Sequence, residues 1–217
     1  LLNTFRTSFL FTFLLIALNV LQVKAGTIDK AFEALEMKDY FKARDLFEKV
    51  ERSDKLAGNF GLCLVHVARQ NPFYNLDSAQ VYAMRAESFW RSASDKDKKK
   101  LAPYGISDKG VQGLRVMVYM YATDEAKQAR TIEACDSFLK RFSSAPQKKK
   151  ILDLKATLSF ENAKAANSHQ AIQKFIQDFP NAPETVEAKS LYEKFLFEEK
   201  TKDGSVESFR QFVADFP

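Results

Sequence analysis

One phenylalanine phrase recurs three times in the C-terminal half, at a fixed interval. It reads Phe138-Leu-Lys-Arg-Phe142-Ser-Ser-Ala-Pro146, then Phe175-Ile-Gln-Asp-Phe179-Pro-Asn-Ala-Pro183, then Phe212-Val-Ala-Asp-Phe216-Pro217. Phe138, Phe175 and Phe212 follow one another at steps of 37 residues. Side chains four apart share one face of a helix, so each phrase predicts a helix that buries a pair: Phe138/Phe142, Phe175/Phe179 and Phe212/Phe216. A period of this length marks an architecture of stacked units, each burying its apolar face against its neighbours. Such a chain is built to present a surface for binding rather than to enclose a reaction.

The helices that carry the phrases open alike, with Thr131-Ile-Glu-Ala134, Ser168-His-Gln-Ala171 and Ser205-Val-Glu-Ser208. A hydroxyl at that point can accept a backbone N–H that the first turn leaves without a partner. Pro180 and Pro183 stop the middle helix, because proline lacks the donor and restricts the residue before it. The helix after them is expected to bury Val186, Ala188, Leu191, Tyr192 and Phe195.

The N-terminal half carries the same kind of signal without the strict period. Ile28, Ala31, Phe32 and Leu35 lie on one helical stripe, Lys38-Asp39-Tyr40 makes a turn, and Ala43, Leu46, Phe47 and Val50 form a second stripe. Residues 39–50 resemble the second half of a tetratricopeptide repeat. Tyr40, Ala43, Phe47 and Val50 fall on that family's aromatic, small, aromatic and small positions, with Lys38 where the family usually has glycine. A variant unit follows. Leu56 to Ala68 is apolar, Asp77 is a plausible N-cap, and Ala79, Ala83, Ala86 and Phe89 repeat the small-residue stripe. Residues 91–106 read as a polar boundary with a basic cluster at Lys96 and Lys98 to Lys100. Val111, Leu114, Val116, Met117, Met120 and Tyr121 then resume a helix. The resemblance, extended over about residues 28–217, is to tetratricopeptide-like proteins of the Gram-negative cell envelope. It implies an all-α fold, an α-solenoid of stacked antiparallel helix pairs. Two pairs would occupy residues 26–92. Degenerate and 37-residue repeats would occupy 93–217, the last of them incomplete.

Composition agrees with a helical protein. Apolar residues make up 46%, enough for a core, and only 7 Gly and 6 Pro leave little material for hairpins. Residues 1–25 hold Arg6 and Lys24 and no acid, so the rest of the chain carries +3 of the total +5. That mild surplus does not argue for a nucleic-acid partner. The first 25 residues have the layout of a signal peptide. Arg6 precedes an apolar run from Phe9 to Leu18, and Val23-Lys24-Ala25 places small residues at −3 and −1 of a cut before Gly26. The run is short of the ~20 apolar residues that a membrane-spanning helix needs, so no transmembrane span is expected in the mature chain. Export to the periplasm, or association with the outer membrane, is expected. Cys63 and Cys135 each lie in an apolar helical stretch and read as separate buried thiols rather than a bridge.

No phosphate-binding loop, nucleophile elbow or metal-ligand spacing is present in the sequence. His66 lies in an apolar helix, and His169 follows Ser168 at a helix start. Trp90 reads as a packing plug. No catalytic, cofactor-binding or metal-binding residue is therefore predicted, and enzymatic activity is not expected. The expected role is a non-catalytic scaffold for a protein or peptide partner in the cell envelope. Glu187, Lys194 and Glu198 share a ridge off the apolar stripe and are the candidate binding face. Position 1 is Leu and position 217 falls inside the repeated phrase, so the chain is expected to be the N-terminal part of a larger protein. The alternative is an accessory arm of an envelope enzyme or peptidoglycan-binding protein whose active module lies beyond residue 217. The exported form should begin at Gly26, as N-terminal sequencing would read. Ala25→Arg should leave the precursor uncut, because the peptidase pocket takes only small side chains at −1; normal processing of that variant would remove the assignment.

Overall fold

The computed structural model describes residues 26–216; residues 1–25, with Ala25 of the expected cleavage site, and Pro217 lie outside the described residues. Those residues form eleven α-helices and one short 3-10 turn, with no strand among them. The chain divides into two compact units between Tyr121 and Ala122.

The first unit opens with α1 (Thr27–Glu36), α2 (Tyr40–Ser53) and α3 (Lys55–Val67), followed by α4 (Leu76–Ser92) and α5 (Asp95–Leu101). After the 3-10 turn Ala102–Tyr104 comes α6 (Asp108–Ala129), within which the division falls. Packing joins α1 to α2, α2 to α3, α3 to α4, and α1 to α3. Helix α3 lies at the centre. Leu56, Ala57, Phe60, Leu62, Cys63 and Val65 are all buried on it, as a helix covered on several sides requires. Its closeness to α2 depends on two glycines. A Cβ at Gly58 would stand 2.3 Å from Glu51 Cα, and one at Gly61 would stand 2.1 Å from the Phe47 ring. Both distances are impossible for real atoms, so α2 and α3 would have to part.

Two local readings change. Helix α4 is capped by Asn75, whose side chain accepts the Ser78 N–H at 2.8 Å; Asp77 sits inside the first turn instead. The expected polar boundary contains a helix, α5, capped by Ser94. Its acids stand in the first turn and three of its four lysines, Lys98 to Lys100, in the last, the order that the helix dipole favours. Leu101 and Ile106 anchor this region in the core.

The second unit holds α7 (Ile132–Arg141), α8 (Lys148–Ala165), α9 (His169–Asp178), α10 (Thr185–Lys200) and α11 (Val206–Asp215). The 37-residue step of the sequence reappears in the backbone. Helices α7, α9 and α11 are each 10 residues long, and their first and last residues follow at that step. So do the starts of α8 and α10. Thr131, Ser168 and Ser205 each cap their helix by accepting the N–H three residues on. Phe142, Phe179 and Phe216 each end it in a similar extended-side conformation, donating N–H to Phe138, Phe175 and Phe212. Neighbouring helices pack in turn, α7 on α8, α8 on α9, α9 on α10 and α10 on α11.

Burial departs from expectation at two places. Val186 is exposed rather than buried. One period earlier stands Lys149, also exposed, so the position belongs to the solvent side. Phe216 is exposed and Phe212 only half-buried, whereas Phe138, Phe142 and Phe175 are buried.

The turns within helix pairs share one backbone device. Lys38, Arg130 and Asn167 have φ of 58°, 52° and 48°, and Gly204 has 66°. The last three follow at the 37-residue step. A left-handed residue reverses the chain in few residues, but it crowds the Cβ of any L side chain. Lys38→Gly should therefore raise stability by about 0.5–1 kcal/mol, the relief of that crowding less the added freedom of the unfolded glycine. Gly204→Ala should lower it by about 1 kcal/mol. Urea melts would measure both, and equal signs for the two changes would contradict the turn assignment.

Candidate functional site

Gly26, the residue on the far side of the predicted cut, caps α1. Its N–H donates to Asp29 Oδ2 at 2.6 Å, and the other oxygen of Asp29 accepts the Tyr104 hydroxyl at 2.5 Å. The Tyr104 ring stacks on Phe32 at 5.0 Å. The start of α1 is thus tied to the 3-10 turn by one carboxylate. Burial, followed by the hydrogen bond to Asp29, pushes the Tyr104 phenol up to about 12.

The repeated phenylalanines form a series of ring contacts. Phe160 meets Phe175 at 5.1 Å, and Phe197 meets Phe212 one period later at 5.2 Å. Within each phrase the rings touch at 5.0 to 5.6 Å, as Phe138–Phe142, Phe175–Phe179 and Phe212–Phe216. Thr123 occupies the position of Phe160 one period earlier and is buried without a ring. Ala171 borders the same cluster half-buried. In the first unit Ala43, Phe47, Ala79 and Ala83 are buried and Tyr40 is half-buried. Phe47 takes the edge of Phe32 at 5.0 Å.

The ridge Glu187, Lys194 and Glu198 is exposed along α10. Its members are not equivalent. Glu187 accepts from Lys164 Nζ of α8 at 2.6 Å, so its charge is engaged between two helices. Lys194 has a loose contact with Glu198 at 3.8 Å, and both side chains are more than half exposed.

Other polar groups form local contacts. His66 Nδ1 lies 2.8 Å from the Phe73 carbonyl oxygen, and its ring stacks on Tyr82 at 5.4 Å. Burial holds the His66 imidazole below its usual pKa, against the opposite pull of the Phe73 carbonyl. His169 Nδ1 lies 2.9 Å from Glu199 Oε2. The Trp90 indole donates to Asp108 Oδ1 at 3.2 Å. Cys63 and Cys135 are buried free thiols, and burial pushes both pKa values up. Thiols in that state are poor nucleophiles.

One cleft escaped sequence reasoning. It is a shallow depression of about 310 Å³, open to solvent and lined by Glu51, Arg52, Lys55, Arg85 and Phe89. Three cations meet there from α2, α3 and α4, with Lys55 Nζ 5.8 Å from the centre of the Phe89 ring. The Arg52-x-x-Lys55 spacing was visible, but nothing in sequence brings Arg85 to it. Among the described residues no group of three or more His, Cys, Asp or Glu is placed to hold a metal ion. No described helix is long and apolar enough to cross a membrane.

Comparison with protein-family models, with curated proteins and with solved structures returns no match.

The Tyr104–Asp29 tie has a pH signature. A phenol held protonated by the fold stabilises fully below its unfolded value near 10. That contribution is lost as pH rises through the folded value of about 12. Thermal melts from pH 9 to 12 should show the parent chain losing stability more steeply than Tyr104→Phe. Parallel slopes would mean that the hydroxyl is free.

Proposed function

We propose that this chain is a non-catalytic scaffold of the bacterial cell envelope, built from tetratricopeptide-like helix pairs stacked as an α-solenoid, which holds a protein or peptide partner. The observation that carries this reading is the 37-residue recurrence of helix starts, caps, left-handed turns and ring contacts from Arg130 to Phe216. A unit repeated at that level of detail has its apolar stripe committed to its neighbours, which leaves outward side chains for recognition. The layout of residues 1–25 supports export, and the mild positive charge beyond them gives no reason to invoke nucleic acid. Glu187, Lys194 and Glu198 supply one outward ridge.

Two measurements test it. A stacked rod should scatter X-rays with a radius of gyration well above the about 16 Å of a compact globule of about 190 residues; a value near 16 Å removes the solenoid. A photo-crosslinking side chain at Lys189 or Glu193, both exposed on α10, should give discrete protein adducts in the envelope fraction. Retention of the chain in the cytoplasm without adducts removes the scaffold role.

A further inference from the structure

We propose that the depression between α2, α3 and α4 is a docking site for an acidic peptide segment of a partner protein. The carboxylates of that segment pair with Arg52, Lys55 and Arg85, and an aromatic side chain between them lies on Phe89. The inference rests on the reading of the chain as a holder of a protein partner, and it names the face and the chemistry of that partner.

The three cations are ones that the fold leaves without an acid. Arg44 of α2 pairs with Asp45 and Glu48, and Arg91 of α4 pairs with Glu87. Arg52 in the last turn of α2, Lys55 at the start of α3 and Arg85 within α4 make no ion pair among the described residues, and all three are exposed. The acid in the lining, Glu51, is half-buried and engaged elsewhere, since its Oε1 accepts from the Asn59 side-chain amide at 3.1 Å. Positive charge is therefore concentrated here, in a chain that carries only +3 beyond residue 25.

The frame that carries these cations is fixed. Only Asp54 separates α2 from α3, and its side chain caps α3 by accepting the Ala57 N–H at 3.0 Å. Just beyond that link, the close approach of Gly58 to Glu51 holds the two helices together. Arg52 and Lys55 thus leave one tight corner, and the half-buried Phe89 of α4 faces it, with its ring centre 5.8 Å from Lys55 Nζ. A site built on packed helices loses little freedom when a ligand binds. A guanidinium takes a carboxylate through two parallel hydrogen bonds, and a phenylalanine ring takes a second ring at about 4.5–7 Å. The depression is too open to bury most of a small molecule, as a metabolite site does. It has room for one side chain of an extended segment, whose flanking acids reach the rim. Glu51 within the lining disfavours a dense polyanion such as nucleic acid.

The probe is a fluorescein-labelled peptide, Gly-Glu-Asp-Phe-Asp-Glu-Gly, titrated with the whole chain and followed by anisotropy. Saturable binding that weakens with salt is expected. Arg85→Glu, at an exposed side chain, should weaken it at least about tenfold with an unchanged melt. Lys42→Glu makes the same change of total charge about 15 Å along α2 from Arg52 and should leave the affinity as it was. Serine in place of the peptide's phenylalanine should cost at least about threefold. Absence of binding at about 1 mM peptide overturns the proposal. So does equal loss in Arg85→Glu and Lys42→Glu, which would mean attraction by bulk charge alone, and so does indifference to the phenylalanine. A short DNA duplex that binds more tightly than the peptide, through Arg85, overturns it in favour of nucleic acid. Envelope crosslinks from Lys189 that persist in a chain deaf to the peptide would sink this site and leave the scaffold reading standing. Peptide binding by a chain that stays in the cytoplasm without adducts would keep the site and remove the envelope role.

Discussion

The second unit depends on one contact: an aromatic ring of a short helix seated between the helices that precede and follow it. Phe175 meets Phe160 of α8, and Ala188 of α10 closes the same cluster. The alanine matters as much as the ring, because a small residue lets α10 approach α9 and the ring fills the groove that remains. A 10-residue helix such as α9 is too short to persist alone in water. Its helicity is a consequence of this burial rather than a cause of it. Truncating a buried phenylalanine costs about 3–5 kcal/mol, a large share of what a domain has to lose.

The turns set the register that the ring requires. A left-handed residue at Arg130, Asn167 and Gly204, followed at once by a hydroxyl cap, fixes where each 10-residue helix begins. The aromatic ring then falls at the same position of the helix in every unit, buried at Phe138 and Phe175 and half-buried at Phe212. One residue more or less in that turn would rotate the helix by about 100° and carry the ring off its groove. The first unit reaches a similar end by other means. Gly58 and Gly61 replace bulk on α3, so that α2 can lie against it with Phe47 inward.

The period, the capping hydroxyls and the proline stops were legible because each is a repeated or chemically singular residue. So was the all-helical class, through the spacing of apolar residues. Helix α5 was not, since Asp95 to Lys100 has no apolar stripe and owes its shape to a serine cap and an ordered charge gradient. Asn75 and Asp77 compete as caps two residues apart, and only the backbone decides between them. The turn at Arg130 carries no signal of its own, although Asn167 and Gly204, residue types that tolerate a left-handed backbone, mark the same step. Val186 looked apolar and was read as buried; comparison with Lys149 one period earlier would have placed it outside. The ridge on α10 was legible as a spacing, but the link between Glu187 and Lys164 was not, because it joins two helices.

That link distinguishes the members of the α10 ridge. Glu187 meets Lys164 of α8, so its charge is engaged between two helices. Lys194 lies about two turns further on, past the place where a preceding helix supplies a partner. Its position matches that of Thr157, the residue that receives the start of the following helix. In a repeated structure a side chain inherits the geometry of its counterparts even when its own chemistry differs. The same logic governs α11, whose aromatic residues retain the geometry of a buried stripe while remaining open to solvent.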